Sequence, residues 1–249
     1  MRITRAVAAG LLAPTLLVVS VSSARAQQSD GQPTQAPAME NKAGAPGSGQ
    51  PGLQRSGLVD RHPLRGAPGG RVGGGSRGGG AVSVTALVPE GRALTSLEQP
   101  SLSWYLSGST PAPVEVTVSD ERSVKPLLEV RLPQPVQPGV QRIRLADHGV
   151  KLEPGVQYKW FVTVVVDPAR RSRDVLAGGT IERVEPSGEL SARLASARPE
   201  TLPMIYAEAG LWYDALGAIA DLLDRTPNDQ TVREDRAQLL SQAGLPQVE

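Results

Sequence analysis

Between Ser83 and Val184 apolar residues recur with a period of two. The stretches "SVTALV" (83–88), "PSLSWYL" (100–106), "VEVTV" (114–118), "LLEVRL" (127–132), "VQRIRL" (140–145), "YKWFVTVVV" (158–166) and "VLAGGTIERV" (175–184) follow at short intervals, with Pro, Gly, Ser and Asp between them. Alternation sends successive side chains to opposite faces of a strand, and short strands punctuated by turn residues are the pattern of an antiparallel sandwich. The expected fold is therefore mainly β, a seven-stranded antiparallel sandwich over 81–186. In "PSLSWYL", Leu102, Trp104 and Leu106 share one face, and Ser101, Ser103, Tyr105 and Ser107 the other. In "YKWFVTVVV", Tyr158, Trp160, Val162, Val164 and Val166 point one way, while Phe161 and Val165 stand among Lys159, Thr163 and Asp167 on the other. A strand apolar on much of both faces is expected at the centre of a sheet.

The period changes in the last quarter of the chain. In "AEAGLWYDALGAIADLLDRTPND", Trp212, Ala215, Leu216, Ile219, Leu222 and Leu223 recur at spacings of three and four, which predicts a helix with one apolar face. Thr201–Ala209 and Ser187–Ala197 supply shorter helical candidates before it. Thr226-Pro227-Asn228-Asp229 predicts an N-cap at Thr226, Pro at the first position and an acid at the third of another helix running to Gln242, closed by Gly244 and Pro246. So short a helical segment cannot bury its stripe alone, so 187–249 is expected to pack on the sandwich, against the outer face that carries Phe161 and Val165.

Composition separates the first 80 residues from all this. Arg2 and Arg5, an apolar run over 6–21 and Ala24-Arg25-Ala26 form the pattern of a secretory signal peptide, 1–26, cleaved before Gln27. The run is shorter than the ~20 residues a membrane span needs, so no transmembrane segment is expected after cleavage. Residues 27–80 hold 15 Gly, 6 Pro and no aromatic residue, and end in "GGRVGGGSRGGG". Such a stretch has little apolar surface to offset ordering, and reads as a disordered linker. With six Lys/Arg against three acids it is expected to be a solvated spacer or, in a functional reading, to have a loose affinity for anionic envelope polymers; export argues against a nucleic-acid partner.

Two local motifs and the overall order then carry a resemblance. "Leu152-Glu-Pro-Gly-Val-Gln-Tyr158-Lys-Trp160-Phe-Val162" resembles the corner of fibronectin type III domains at which a turn delivers a Tyr into a central strand, and "Pro100-Ser-Leu102-Ser-Trp104" resembles their second strand. The resemblance implies that Tyr158 ties its hydroxyl to upstream backbone and that Trp104 is a core aromatic. Gly210, Ala215 and Pro227 resemble the second helix of a tetratricopeptide repeat. "ALVPEG" (86–91), "LTSLEQPSLSWYL" (94–106), "QYKWFVTVVVDPARRSRDVLAGGTIERV" (157–184) and "GLWYDAL" (210–216) resemble the exported bacterial domain-of-unknown-function family nine-two-eight, which has no assigned activity.

Chemistry narrows the function classes. The chain has no Cys, which removes disulfides, thiol nucleophiles and thiolate metal sites. No phosphate loop, nucleophile elbow or His-rich spacing occurs, and His148 beside Asp147 lies in a turn composition. No catalytic, cofactor or metal residue is therefore expected. The structural residues are Trp104, Tyr158, Trp160 and Trp212. Arg170, Arg171 and Arg173, flanked by Asp167 and Asp174, form a candidate binding loop, and Tyr105 is a candidate glycan-stacking ring. Residues 199–249 carry three Arg against nine acids. The expected function is an exported, non-enzymatic interaction or scaffold module, periplasmic or extracellular, meeting another envelope protein or an anionic wall polymer. A carbohydrate-binding domain is the alternative, and an envelope hydrolase ranks behind both.

Overall fold

All seven alternating stretches form strands, joined by one that the alternation does not announce. A computed structural model describes residues 71, 73, 82–120 and 122–245, all within the unit Leu53–Glu249. The expected signal peptide (1–26), nearly all of the expected linker (27–80) and Pro246 lie outside the described residues. The strands are β1 (Val84–Ala86), β2 (Leu94–Thr95), β3 (Ser101–Leu106), β4 (Val114–Asp120), β5 (Leu128–Arg131), β6 (Gly139–Arg144), β7 (Gln157–Val164) and β8 (Val175–Arg183). They form a three-stranded sheet ordered β1-β3-β6 and a five-stranded sheet ordered β2-β8-β7-β4-β5. Leu102, Trp104 and Leu106 from β3 share one core cluster with Val116, Val118, Tyr158, Trp160 and Val162 from β4 and β7.

The expectation of seven strands, all antiparallel, is corrected by β2. Leu94 and Thr95 pair in parallel with Glu182 and Arg183 of β8. Two residues are too few to show a period. Their pairing is set from outside, by Glu182 N–H donating to Ala93 O at 3.2 Å and Val184 N–H to Thr95 O at 2.8 Å, and by the Arg92 guanidinium bound to the Glu182 carboxylate.

Four helices follow: α1 (Gly188–Ser196), α2 (Leu202–Glu208), α3 (Trp212–Arg225) and α4 (Gln230–Gln242). Ser187 caps α1, its hydroxyl accepting from Leu190 N–H at 3.2 Å. The turn from α2 to α3 needs Gly210, whose φ is 70°. There Gly210 N–H donates to Ala207 O and Leu211 N–H to Tyr206 O, the two bonds that close a helix with a left-handed residue. The N-cap of α4 is Asp229, not the expected Thr226. Its carboxylate accepts from the amides of Thr231 and Val232 at 3.0 and 3.3 Å, whereas the Thr226 hydroxyl turns back to Leu222 O in the last turn of α3. An anion facing bare amides is the stronger cap.

The seat of the helices also differs from expectation. α3 lies across the outer face of β3 and β6, not over Phe161 and Val165. Its Gly217 abuts Ser101, and its Asp221 and Asp224 meet Arg142 and Arg144 of β6. Those two arginines are the counter-charges for the acidic edge of α3. Phe161 is accommodated by Gly178 on β8, where a Cβ would come within 2.6 Å of the Phe161 ring. The first turn of α3 enters the core: Trp212 Nε1–H donates to Leu87 O at 2.9 Å. Tyr213 accepts from Trp160 Nε1–H and donates to Thr180 O, both at 2.8 Å. Among the described residues no helix is long and apolar enough to cross a membrane.

Candidate functional site

Where α3 crosses the small sheet, a cleft of about 230 Å³ is left between α2, α3, the start of β3 and the short 3₁₀ turn Leu145–His148. α2 and its approach contribute Pro199, Leu202 and Tyr206; α3 contributes Tyr213, Asp214, Gly217, Ala218, Asp221 and Arg225. The sheet side contributes Leu97, Gln99, Ser101, Arg144 and Ala146. The walls are largely apolar, and the polar groups come from both helices, from β3 and the residues before it, and from the end of β6.

Asp214, only 1% exposed, anchors one end of the cleft. It stands at the third position of α3, where a carboxylate suits the helix dipole. The Thr95 hydroxyl donates to its Oδ1, and Ser96 donates to its Oδ2 through both N–H (2.7 Å) and hydroxyl (2.6 Å). Burial pushes its pKa up to about 6 against the opposing pull of those hydrogen bonds. The result is a staple that holds the segment after β2 onto α3. Burial, with the Asp214 charge second, also pushes the half-buried Tyr206 phenol up. Burial raises the Tyr213 phenol much further, so Tyr213 stays a neutral bridge between Trp160 and Thr180.

At the other end the charges balance. Arg142 reaches Asp221 at 2.6 Å and Asp224 at 2.5 Å, and Arg144 reaches the same two acids at 3.1 and 2.8 Å. Asp221 first, then Asp224, hold the Arg144 guanidinium more firmly protonated. Arg225 stands beyond this four-membered cluster, exposed, with its Nε donating to Asp221 O at 3.2 Å.

The residues singled out from the sequence lie elsewhere. Arg171 is bound to Glu115 at 2.8 Å and Asp174 at 2.6 Å, which pins the loop to β4. Arg171, and next Arg131, hold the Glu115 carboxyl below its usual range. Arg170 stands 3.6 Å from Asp167, and Arg173 is exposed. Tyr105 is half-buried, and its register neighbours Thr85 and Val140 set no ring beside it. None of these four lines the cleft. Of the structural residues, Trp160 and Trp212 make the bonds described above, and the Tyr158 hydroxyl accepts from Glu153 N–H at 2.9 Å. Trp104 is buried with no hydrogen-bond partner for Nε1 among the described residues. His148 and Asp147 are exposed.

Sequence reasoning passed over Leu97, Tyr206, Asp214 and Arg225. One signal was available: Asp214, Gly217, Ala218, Asp221 and Arg225 recur at spacings of three and four, a second stripe beside the apolar one. Among the described residues no group of three or more His, Asp or Glu is placed to hold a metal ion. No curated protein matches the chain. The sequence model of one family matches residues 72–249, well over half the chain, including every element of the cleft. The chain belongs to the family described as Domain of Unknown Function (DUF928).

Proposed function

We propose that this chain is an exported, non-enzymatic interaction module of the bacterial envelope, in which an immunoglobulin- or fibronectin-III-like sandwich presents one tetratricopeptide-like helix pair. The observation that supports it is the cleft on α3, whose walls come from both sheet and helices and whose rim carries Leu97, one of four large apolar residues left exposed among the described residues, at 43%. A concave, mostly apolar surface on which a few polar groups converge is the first place to look for a binding site. The basic amino-terminal run and the small-x-small site at 24–26 support export. A glycan platform on Tyr105 would need a second ring beside it, and Thr85 and Val140 are its neighbours.

The test places a photo-reactive cross-linker at Leu97 in the producing cell, with one at the fully exposed Val124 as control. A discrete protein adduct from position 97 and not from 124 is expected. Recovery only with insoluble wall material would favour a wall-polymer ligand, and equal labelling from both positions would end the reading of this cleft as a docking site.

A further inference from the structure

We propose that the cleft on α3 captures the carboxy-terminal residue of a partner polypeptide, an apolar side chain bearing a free carboxylate. This rests on the interaction-module reading and names the chemistry of its ligand.

The first observation is Gly217, in the interior of α3. A glycine there costs about 1 kcal/mol of helix stability relative to alanine. Nothing in the fold requires it: a Cβ at this position would meet only the Ser101 Cβ, at 4.0 Å, an ordinary contact. What the missing side chain does is keep the floor of the cleft open.

The second is the set of polar groups the fold leaves unused. The Asp214 carboxylate, the Tyr213 hydroxyl, Arg144 and Asp221 are all engaged. Among the described residues, the Tyr206 and Ser101 hydroxyls make no side-chain hydrogen bond, and the terminal nitrogens of Arg225 have no acid partner. Two hydroxyls and a guanidinium fork can all donate, and the fork matches a carboxylate in two parallel bonds.

Charge fixes the orientation. Asp221 and Asp224 are compensated by Arg142 and Arg144, which leaves Asp214 at one end of α3 and Arg225 at the other. Eleven residues of helix separate them by ~16 Å. A carboxylate at Arg225 therefore meets the guanidinium at contact distance and Asp214 only across the length of the helix, where the Coulomb term is several-fold smaller, and the neutral body of the ligand lies inward over Gly217 and Ala218, between Leu97 and Leu202. Size sets the limit: about 230 Å³ is below the roughly 300–1,000 Å³ of pockets that take drug-sized ligands. One side chain with its carboxylate fits; an oligosaccharide does not.

The experiment measures fluorescence anisotropy of the full chain with fluorescein-Gly-Ser-Gly-Leu and fluorescein-Gly-Ser-Gly-Phe, each as free acid and as carboxamide, with acetyl-leucine as competitor. The acids are expected to bind and the amides to bind at least tenfold more weakly. Arg225→Gln should weaken the acids about tenfold, and Gly217→Leu should abolish binding with an unchanged or raised melting temperature. Equal binding of acid and amide, binding that survives Gly217→Leu, or no binding by any peptide overturns the proposal. Acetyl-leucine competing as well as the peptides compete with each other would reassign the cleft to free apolar acids. A cross-link from Leu97 that persists in the Gly217→Leu chain would sink this inference and leave the interaction module standing.

Discussion

A single buried acid ties the pH response of this protein to its architecture. Asp214 has its pKa raised from 3.8 to about 6 by burial. Below about pH 4 both folded and unfolded chains hold the proton. Between 4 and 6 the folded chain alone holds it, so stability falls as pH rises through that window and levels off above it. A shift of this size is worth on the order of 2–3 kcal/mol. Glu115, held below its usual range by Arg171 and Arg131, runs the other way and is lost as pH falls. The diagnostic is therefore a difference between curves: in urea unfolding from pH 4 to 7, Asp214→Asn should lack the decline that the unaltered chain shows. Parallel curves would mean that Asp214 titrates near its ordinary value. Tyr158 gives a pH-independent counterpart, because its hydroxyl satisfies the Glu153 amide at the entry to β7. Tyr158→Phe should cost about 1–2.5 kcal/mol, the net bond plus an unsatisfied partner, with peptide binding to the cleft unchanged; a neutral unfolding midpoint would refute the role.

Elements with many residues were legible and elements decided by one contact were not. β3, β4 and β7 follow from alternation alone because six to eight residues repeat the period several times. β2 has two residues and exists because β8 runs past it. α3 was legible from its apolar stripe, yet that stripe does not say which surface it meets. Two faces were available, and the one chosen carries Arg142 and Arg144 opposite Asp221 and Asp224. The start of α4 shows the same limit on a smaller scale. Thr226 and Asp229 both read as caps, and the carboxylate takes the free amides while the hydroxyl completes the helix before it.

At the scale of the molecule, the helices are part of the core. Trp212, Tyr213, Ala215, Leu216, Ile219 and Leu222 belong to the same buried cluster as Trp104 and Trp160. Four of these, Trp212, Tyr213, Ile219 and Leu222, contribute about 1.5–3 kcal/mol each on burial, roughly 6–12 kcal/mol together, comparable with the whole stability of a typical domain, ~5–15 kcal/mol. Removal of 199–249 also deletes the hydrogen bonds that Trp160 Nε1, Leu87 O and Thr180 O make to Trp212 and Tyr213. The truncated chain should unfold or self-associate, read by thermal melting and light scattering. A monomeric truncation with an unchanged melting temperature would show that the sheets do not depend on the helices.

Sequence by itself determined the strand-rich body, the helical end and the identity of the large core aromatics, because periodicity and turn chemistry are local properties that repeat along the chain. It also contained the polar stripe of α3, unread because a stripe of mixed charge looks the same on a solvated face as on the wall of a cleft. Tertiary structure alone decided the eighth strand, the face on which α3 lies and the burial of Asp214 against Thr95 and Ser96, residues 119 and 118 positions away in the chain. It likewise decided that Arg171 is held by Glu115 and Asp174 while Arg225 is left with no acid partner among the described residues. Each of these depends on which distant group arrives opposite a side chain, and no local pattern encodes that.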